Sequence, residues 1–263
     1  MNDDNKYIEN IMNAKTEKEL FEIWSNKKPI KYGYIKGKKE IEVEIDYQKK
    51  HFVSDGIINP TVWYEETAKK RILFIIKEIY NGDKNKSFSL TECLRNCNKP
   101  EYSWAKSSMW ARIAEWTYGI QNTSKNNLAK YDAEQIAELY KSLYDQISVV
   151  VIKKSLSDKV SNAEVIDIYT SENKNEIKRH IEIIDPEIIV CLNTISQLDN
   201  IFENSILSYA NYNENNFYFS SICGGNRLVI DYCAALNKYP TLLNFYGIVG
   251  IYYQALQQAG LEQ

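Results

Sequence analysis

Only two histidines, His51 and His180, occur in this chain of 263 residues. A histidine-rich metal centre or a Ser-His-Asp triad is therefore poorly supplied, since each needs an imidazole at the reacting atoms. The five cysteines, Cys93, Cys97, Cys191, Cys223 and Cys233, are odd in number and scattered, with no pair separated by two residues. Zinc ribbons and iron–sulfur sites need close ligand pairs, because one metal must be reached from short segments. No metal, iron–sulfur cluster or other cofactor is expected, and the thiols read as reduced and partly buried. Catalysis, if present, has to rest on carboxylates and amides.

Long apolar runs are also missing: none approaches the roughly 18 residues that cross a bilayer. The opening Met1, Asn2, Asp3, Asp4, Asn5, Lys6 lacks the basic and then apolar order of a secretory signal. A cytoplasmic protein with no membrane partner is expected. Nor does one charge dominate, with 32 basic against 35 acidic residues and a net −3, so the whole molecule does not attract polyanions. The distribution is less even. Lys27, Lys28, Lys31, Lys36, Lys38, Lys39, Lys49 and Lys50 crowd the N-terminal fifth, and Lys84 and Lys86 stand together further on. Such patches are candidate phosphate contacts, beside the plainer reading of a solvated lysine face.

What is present is a core. Hydrophobic residues make up 44% and aromatics 13%, enough for one large domain or one domain with an appendage. Ile8, Ile11, Leu20, Phe21, Ile23 and Trp24 recur at roughly helical spacing and predict a helix or helix pair over the first 25 residues. Alternation through Ile41, Glu42, Val43, Glu44 and Ile45, after a stretch at 31–38, predicts a short hairpin. Residues 1–58 read as an N-terminal helical and hairpin appendage, because Pro60 biases Asn59 away from helix and marks a boundary. The α/β domain spans 59–263. Apolar runs at 72–76, 148–152, 188–192 and 228–232 predict core strands, separated by helical periodicity at 133–147 and 172–184, with a closing helix at 245–258. That alternation predicts a central parallel four-stranded sheet with helices on both faces. The segment 123–130 reads as a loop, and no internal repeat is present.

The most informative stretch is Phe74, Ile75, Ile76, Lys77, Glu78, Ile79, Tyr80, Asn81, Gly82, an apolar strand running into a short polar loop with one acid. Active sites of open α/β folds lie where strands end at their carboxyl edge, so Glu78 is placed to meet a ligand. A salt-bridging or capping carboxylate is the plainer alternative. Tyr80, Asn81 and Gly82 add an aromatic face, an amide and a permissive backbone, which together can hold a planar ring beside an activated water.

On these residues the chain resembles the uracil-DNA glycosylase superfamily, whose first motif is an apolar strand followed by Gly-Gln-Asp-Pro-Tyr-His-Gly. Laid over it without a gap, Glu78 falls at the water-activating acid, Tyr80 at the tyrosine that walls the base pocket, and Gly82 at the closing glycine. Ile76, Lys77, Ile79 and Asn81 depart from the pattern. The resemblance extends in order over roughly 56–258, through Trp110 to Ile120, Val151 to Ser155, Asp185 to Cys191, and Val229 to Tyr232. It implies a small parallel sheet between helices and a site built from loops at the strand ends.

Two departures bear on specificity. Uracil-excising members place an asparagine after the second strand to read the base edge, where this chain has Lys153 and Lys154. They also carry a histidine after the last strand, where Tyr232 here leads into Cys233, Ala234, Ala235, Leu236 and Asn237. A site that hydrogen-bonds one base edge rejects analogues strongly, so changed readers imply a changed base. The resemblance therefore implies a monomeric DNA glycosylase for a flipped, modified base, with glucosylated hydroxymethylcytosine in phage DNA as an example and antiviral defence as the role. Glu78 and Asn81 stand as the catalytic residues, and Tyr80, Phe88, Lys153, Asn193 and Asn237 as the substrate-binding set. Lys153 or Asn237 would donate to the leaving base, and Phe88 would stack on it. Lys84, Lys86 and Arg227, the last beside the glycine turn Gly224-Gly225, are the DNA contacts. Plainer roles stand beside these: a snorkelling lysine for Lys153, core packing for Phe88, a helix cap for Asn193-Thr194. Trp110, Ile113 and Thr117 share one helical face and read as core. Alternative functions are repair of uracil or damaged bases, a catalytically inactive nucleic-acid binder on the same fold, and a protein-interaction module.

Overall fold

The computed structural model describes residues 3–36, 39–45, 49, 51–65, 69–80, 87–106, 108–156, 163–207, 216–232 and 239–259. The chain opens with α1 (Asp3–Asn13) and α2 (Glu17–Trp24). The second starts where the Thr16 hydroxyl accepts the Glu19 N–H at 3.2 Å, one of the donors that a first helical turn leaves orphaned. Strands β1 (Ile30–Lys36) and β2 (Lys39–Ile45) form the expected antiparallel hairpin. Then come the short strands β3 (Val53–Ser54) and β4 (Gly56–Ile57), and the one-turn helix α3 (Pro60–Trp63). Asn59 is extended, at φ −132° and ψ 99°, as the proline after it requires.

The four apolar runs form the centre of the main sheet. They are β5 (Ile72–Ile76), β7 (Ile147–Val151), β8 (Ile188–Leu192) and β10 (Gly225–Tyr232), all mutually parallel, with β6 (Phe88–Ser89) and β9 (Phe217–Ile222) between them in the chain. The main sheet, however, has six strands and is mixed, in the order β4-β7-β5-β8-β10-β9, which corrects the expectation of four parallel strands. β4 and β9 run antiparallel at the two edges. β9 joins β10 through Cys223 and Gly224, whose φ of 53° and 71° suit the tight hairpin turn that matches strand twist. β3 and β6 form a separate parallel pair.

Helices cover both faces. On one lie α4 (Leu90–Arg95), α5 (Ser108–Asn122), α6 (Ala133–Asp145) and α10 (Thr241–Gln258), packed over Phe74 and Ile76 with Trp116, Ile113 and Phe245. On the other lie α7 (Ala163–Glu172), α8 (Lys174–Ile184) and α9 (Ile195–Ile201) over Leu73, Ile75 and Ile189. The helical pattern at 172–184 resolves into α8 after a break at Asn173, and α8 ends on Asp185 in the left-handed region before Pro186. Trp110, Ile113 and Thr117 are buried, as a core face demands.

The N-terminal helices belong to this second face. Ile11, Leu20 and Trp24 have no exposure and sit in the same apolar cluster as Ile177 and Ile181 of α8. The Trp24 indole donates to Asn173 Oδ1 at 3.0 Å, and Lys27 pairs with Glu176 at 2.6 Å. With β4 in the main sheet as well, the covalent boundary at 58/59 crosses a shared core.

Candidate functional site

The order of the parallel strands fixes where a ligand meets the sheet. From β5 the chain crosses to β7 on one side, then returns to β8 on the other, so the switch point lies between β5 and β8. Ligands of open α/β sheets bind in the crevice that such a reversal opens at the carboxyl ends. Glu78 lies two residues past β5 at that edge. The β5–β7 ladder continues beyond both strands, with Ile152 N–H on the Ile76 carbonyl and Lys153 N–H on the Lys77 carbonyl, each at 3.0 Å. That continuation sets Lys153 beside the acid.

Glu78 is 7% exposed. The Tyr80 hydroxyl donates to its Oε1 at 2.7 Å, and Lys153 Nζ stands 3.6 Å from its Oε2. Tyr80 is half exposed at 52%, and its phenol is raised above the ordinary range, first by burial and then by the hydrogen bond to Glu78 and its charge. The phenol therefore stays a donor at any physiological pH. The Lys153 ammonium lies 5.6 Å from the Tyr169 ring centre, within cation–π range, and the Tyr169 hydroxyl is 2.9 Å from Ser155 Oγ. A buried carboxylate, an ammonium and a phenol thus converge at one strand end. Chemically the set can accept a proton from water, stabilise a developing cation and donate to a developing anion.

Other expected residues divide between this edge and elsewhere. Asn193 follows β8, exposed and left-handed at φ 57°, with its N–H on the Tyr232 carbonyl at 3.3 Å. The cap expected at Asn193-Thr194 is met in position, without a side-chain capping hydrogen bond. Thr194 occupies the N-cap position of α9, but its hydroxyl donates to the Ile75 carbonyl at 3.0 Å and so ties β8 to β5. Phe88, on β6, is half-buried and packs on Trp104 at 6.1 Å between ring centres. Its N–H meets the Phe52 carbonyl at 3.1 Å, and the adjacent Val53 N–H meets the Lys154 carbonyl at 2.9 Å, so the β3–β6 pair rides on the loop that carries Lys153. Arg227, the third residue of β10, lies near the amino edge, opposite Glu78. Its guanidinium is paired with Asp185 and the Cys223 carbonyl, which gives it a structural partner away from the acid. Asn81, Lys84, Lys86 and Asn237 lie outside the described residues.

A second charged group, not anticipated from the sequence, is buried next door. Lys154 has no exposure, and its ammonium donates to both oxygens of Asp55 at 2.5 Å. Asp55 Oδ2 also accepts the Val151 N–H at 2.5 Å. The Lys154 ammonium sits 5.1 Å from the Trp24 ring and 5.7 Å from that of Phe21. Behind Asp55 the fully buried His180 places Nε2 2.8 Å from Glu17 Oε1 and Nδ1 3.8 Å from Asp55 Oδ1. Burial pushes the Glu17 carboxyl up to about 7, against the Ile57 N–H and the Lys154 charge, and burial with Lys154 pushes His180 down to about 3.

The described cysteines are free and do not supply a nucleophile. Cys93, Cys97 and Cys191 are buried, and burial pushes the Cys93 thiol up to about 11 and that of half-buried Cys223 up to about 12. Among the described residues no group of three or more His, Cys, Asp or Glu side chains is placed to hold a metal ion. Among them, too, no helix is long and apolar enough to cross a membrane. Neither a protein-family model, nor a curated protein, nor a solved structure matches this chain.

Proposed function

We propose that the chain is a DNA N-glycosylase that hydrolyses the N-glycosidic bond of a flipped, modified base and leaves an abasic site. One observation carries the reading: Glu78 is a buried carboxylate at the carboxyl end of β5, beside the switch point, with Lys153 and Tyr80 converging on it. In the proposed reaction the C1′–N bond stretches toward an oxocarbenium-like state. Glu78 stabilises that cation or takes the proton of the water that traps it. Lys153 donates to the departing base or to a substituent on it, replacing the amide that reads uracil. A base with a hydroxyl or sugar substituent, such as glucosylated hydroxymethylcytosine in phage DNA, suits that donor, and a defence role follows from such a substrate.

The test is incubation with DNAs containing uracil, hydroxymethylcytosine or glucosylated hydroxymethylcytosine, followed by alkaline cleavage at abasic sites. Strand breaks are expected with a modified base, and Glu78→Gln is expected to slow their formation by about 10²–10⁴-fold while leaving the fold intact. Cleavage of uracil DNA alone would move the reading to repair. A second reading, a catalytically inactive nucleic-acid binder, is favoured by the fact that both Glu78 oxygens already have neighbours in Tyr80 and Lys153. It prevails if none of the DNAs is cut and Glu78→Gln leaves DNA binding unchanged.

A further inference from the structure

An open cleft of about 440 Å³ lies on the Asp55–Lys154 side of the molecule, between α2, the β3–β4 segment and the start of α4. Its volume is in the range of small-molecule sites. Glu17 and Asp55 line it together with Phe21, Phe52 and Ile57, the two phenyl rings lying 5.5 Å apart and tilted by 59°.

The balance of charges gives a strongly ionic ligand no net attraction. Glu17, Glu22 and Asp55 line the cleft against Lys18, Lys49 and Arg95, so three acids face three bases. Asp55 is neutralised by Lys154 and the three bases balance the remaining acids, so a phosphate or carboxylate gains no net attraction. A cation meets the Lys154 ammonium directly beneath Asp55, at 2.5 Å from its carboxylate. What remains is a neutral partner rich in hydrogen-bonding groups. Ser54, Ser87 and Thr91 line the same space with hydroxyls that both donate and accept. Glu17 Oε1 takes the Ile57 N–H at 3.1 Å and faces His180 Nε2 at 2.8 Å, while Oε2 lies only 3.4 Å from the Ile57 N–H, which leaves acceptor capacity on Oε2. Aromatic rings beside carboxylates and hydroxyls suit the two kinds of surface that a sugar ring presents, apolar C–H faces and a polar hydroxyl rim.

We propose that this cleft is a binding site for a neutral polyhydroxylated ligand of monosaccharide size, held through its hydroxyls by Glu17, Ser54 and Thr91 and resting against Phe21, which Phe52 backs. The site is separate from Glu78 and does not rest on the glycosylase reading. Because Glu17 titrates close to neutrality, it can serve a sugar hydroxyl as acceptor or donor.

Saturation-transfer NMR on the full chain tests it, with the methyl glycosides of glucose, galactose and mannose as probes and benzylamine and methyl phosphate as ionic controls. At least one glycoside is expected to bind with a Kd of ~1–10 mM, near −4 to −3 kcal/mol. Ser87→Trp, an exposed position that fills the cleft, is expected to weaken that binding at least tenfold, as is Glu17→Ala. Because Ser87 is exposed, the first variant keeps the test sound if the second misfolds. No transfer to any glycoside, binding unchanged by Ser87→Trp, or tighter binding of benzylamine or methyl phosphate at the cleft overturns the proposal.

Discussion

Lys153 and Lys154 are neighbours in the chain and opposites in environment. One turns toward Glu78 at a rim, and the other is sealed beneath Phe21 and Trp24 on Asp55. Successive residues of an extended chain point to opposite sides, so a pair of lysines after a strand must split in this way. The sequence does not reveal which of the two is buried, because the partner, Asp55, stands 99 residues away. Glu78, by contrast, was legible, since its position depends only on where an apolar strand stops. The buried pair makes a sharp expectation. Asp55→Ala strips the ammonium of its partner with no route to water and should cost about 3–5 kcal/mol of unfolding free energy. Asp55→Asn combined with Lys154→Met removes both charges, keeps an acceptor for the Val151 N–H, and should cost less than either single change. Urea unfolding of the wild type, Asp55→Asn, Lys154→Met and the double variant checks it, and strictly additive losses would show the two charges to be uncoupled.

At the scale of elements, the readable parts are those with long local patterns. Central strands buried on both faces read as continuous apolar runs, and β5 and β8 have the limits that the sequence predicts. β4 was missed because two residues carry no periodicity, and its place depends on pairing with β7 across some 90 residues. The same strand explains a glycine. Gly56 has φ +104°, and a Cβ there would lie 1.8 Å from Glu17 Oε1 and 2.9 Å from His180 Nε2. Gly224 also has positive φ, at +71°, but a Cβ there meets nothing within 4 Å. Gly224→Ala should therefore cost only backbone strain, ~1 kcal/mol, while Gly56→Ala adds displacement of Glu17 and should reach or exceed ~3 kcal/mol. Thermal melts of the two variants compare them directly. Equal losses would mean that Glu17 swings aside freely and that the packing of α2 on β4 is loose.

At the scale of the whole molecule, the charge total of −3 hides a buried pair that sets how stability depends on pH. Glu17 and His180 share a 2.8 Å contact, flanked by Asp55 and Lys154. In the folded protein they titrate at about 7 and about 3, against ordinary values of 4.5 and 6.5. The raised Glu17 contributes stability below 4.5 and loses it as pH rises to 7. The depressed His180 contributes above 6.5 and loses it as pH falls to 3. Between 4.5 and 6.5 the two slopes cancel, because folded and unfolded chains each hold one proton on the pair. Stability from this pair should form a plateau over that window, fall by about 2 kcal/mol toward pH 3 and by less than about 1 kcal/mol toward pH 7, at ~1.4 kcal/mol per proton and pH unit. Urea unfolding from pH 3 to 8 of the wild type and of His180→Gln isolates the acid arm from the protonation of other carboxylates. The variant should lose about 2 kcal/mol less than the wild type between pH 4.5 and 3. An identical acid arm in both would mean that His180 is already protonated in the native core, and that its Nε2 contact with Glu17 is a salt bridge rather than a neutral hydrogen bond.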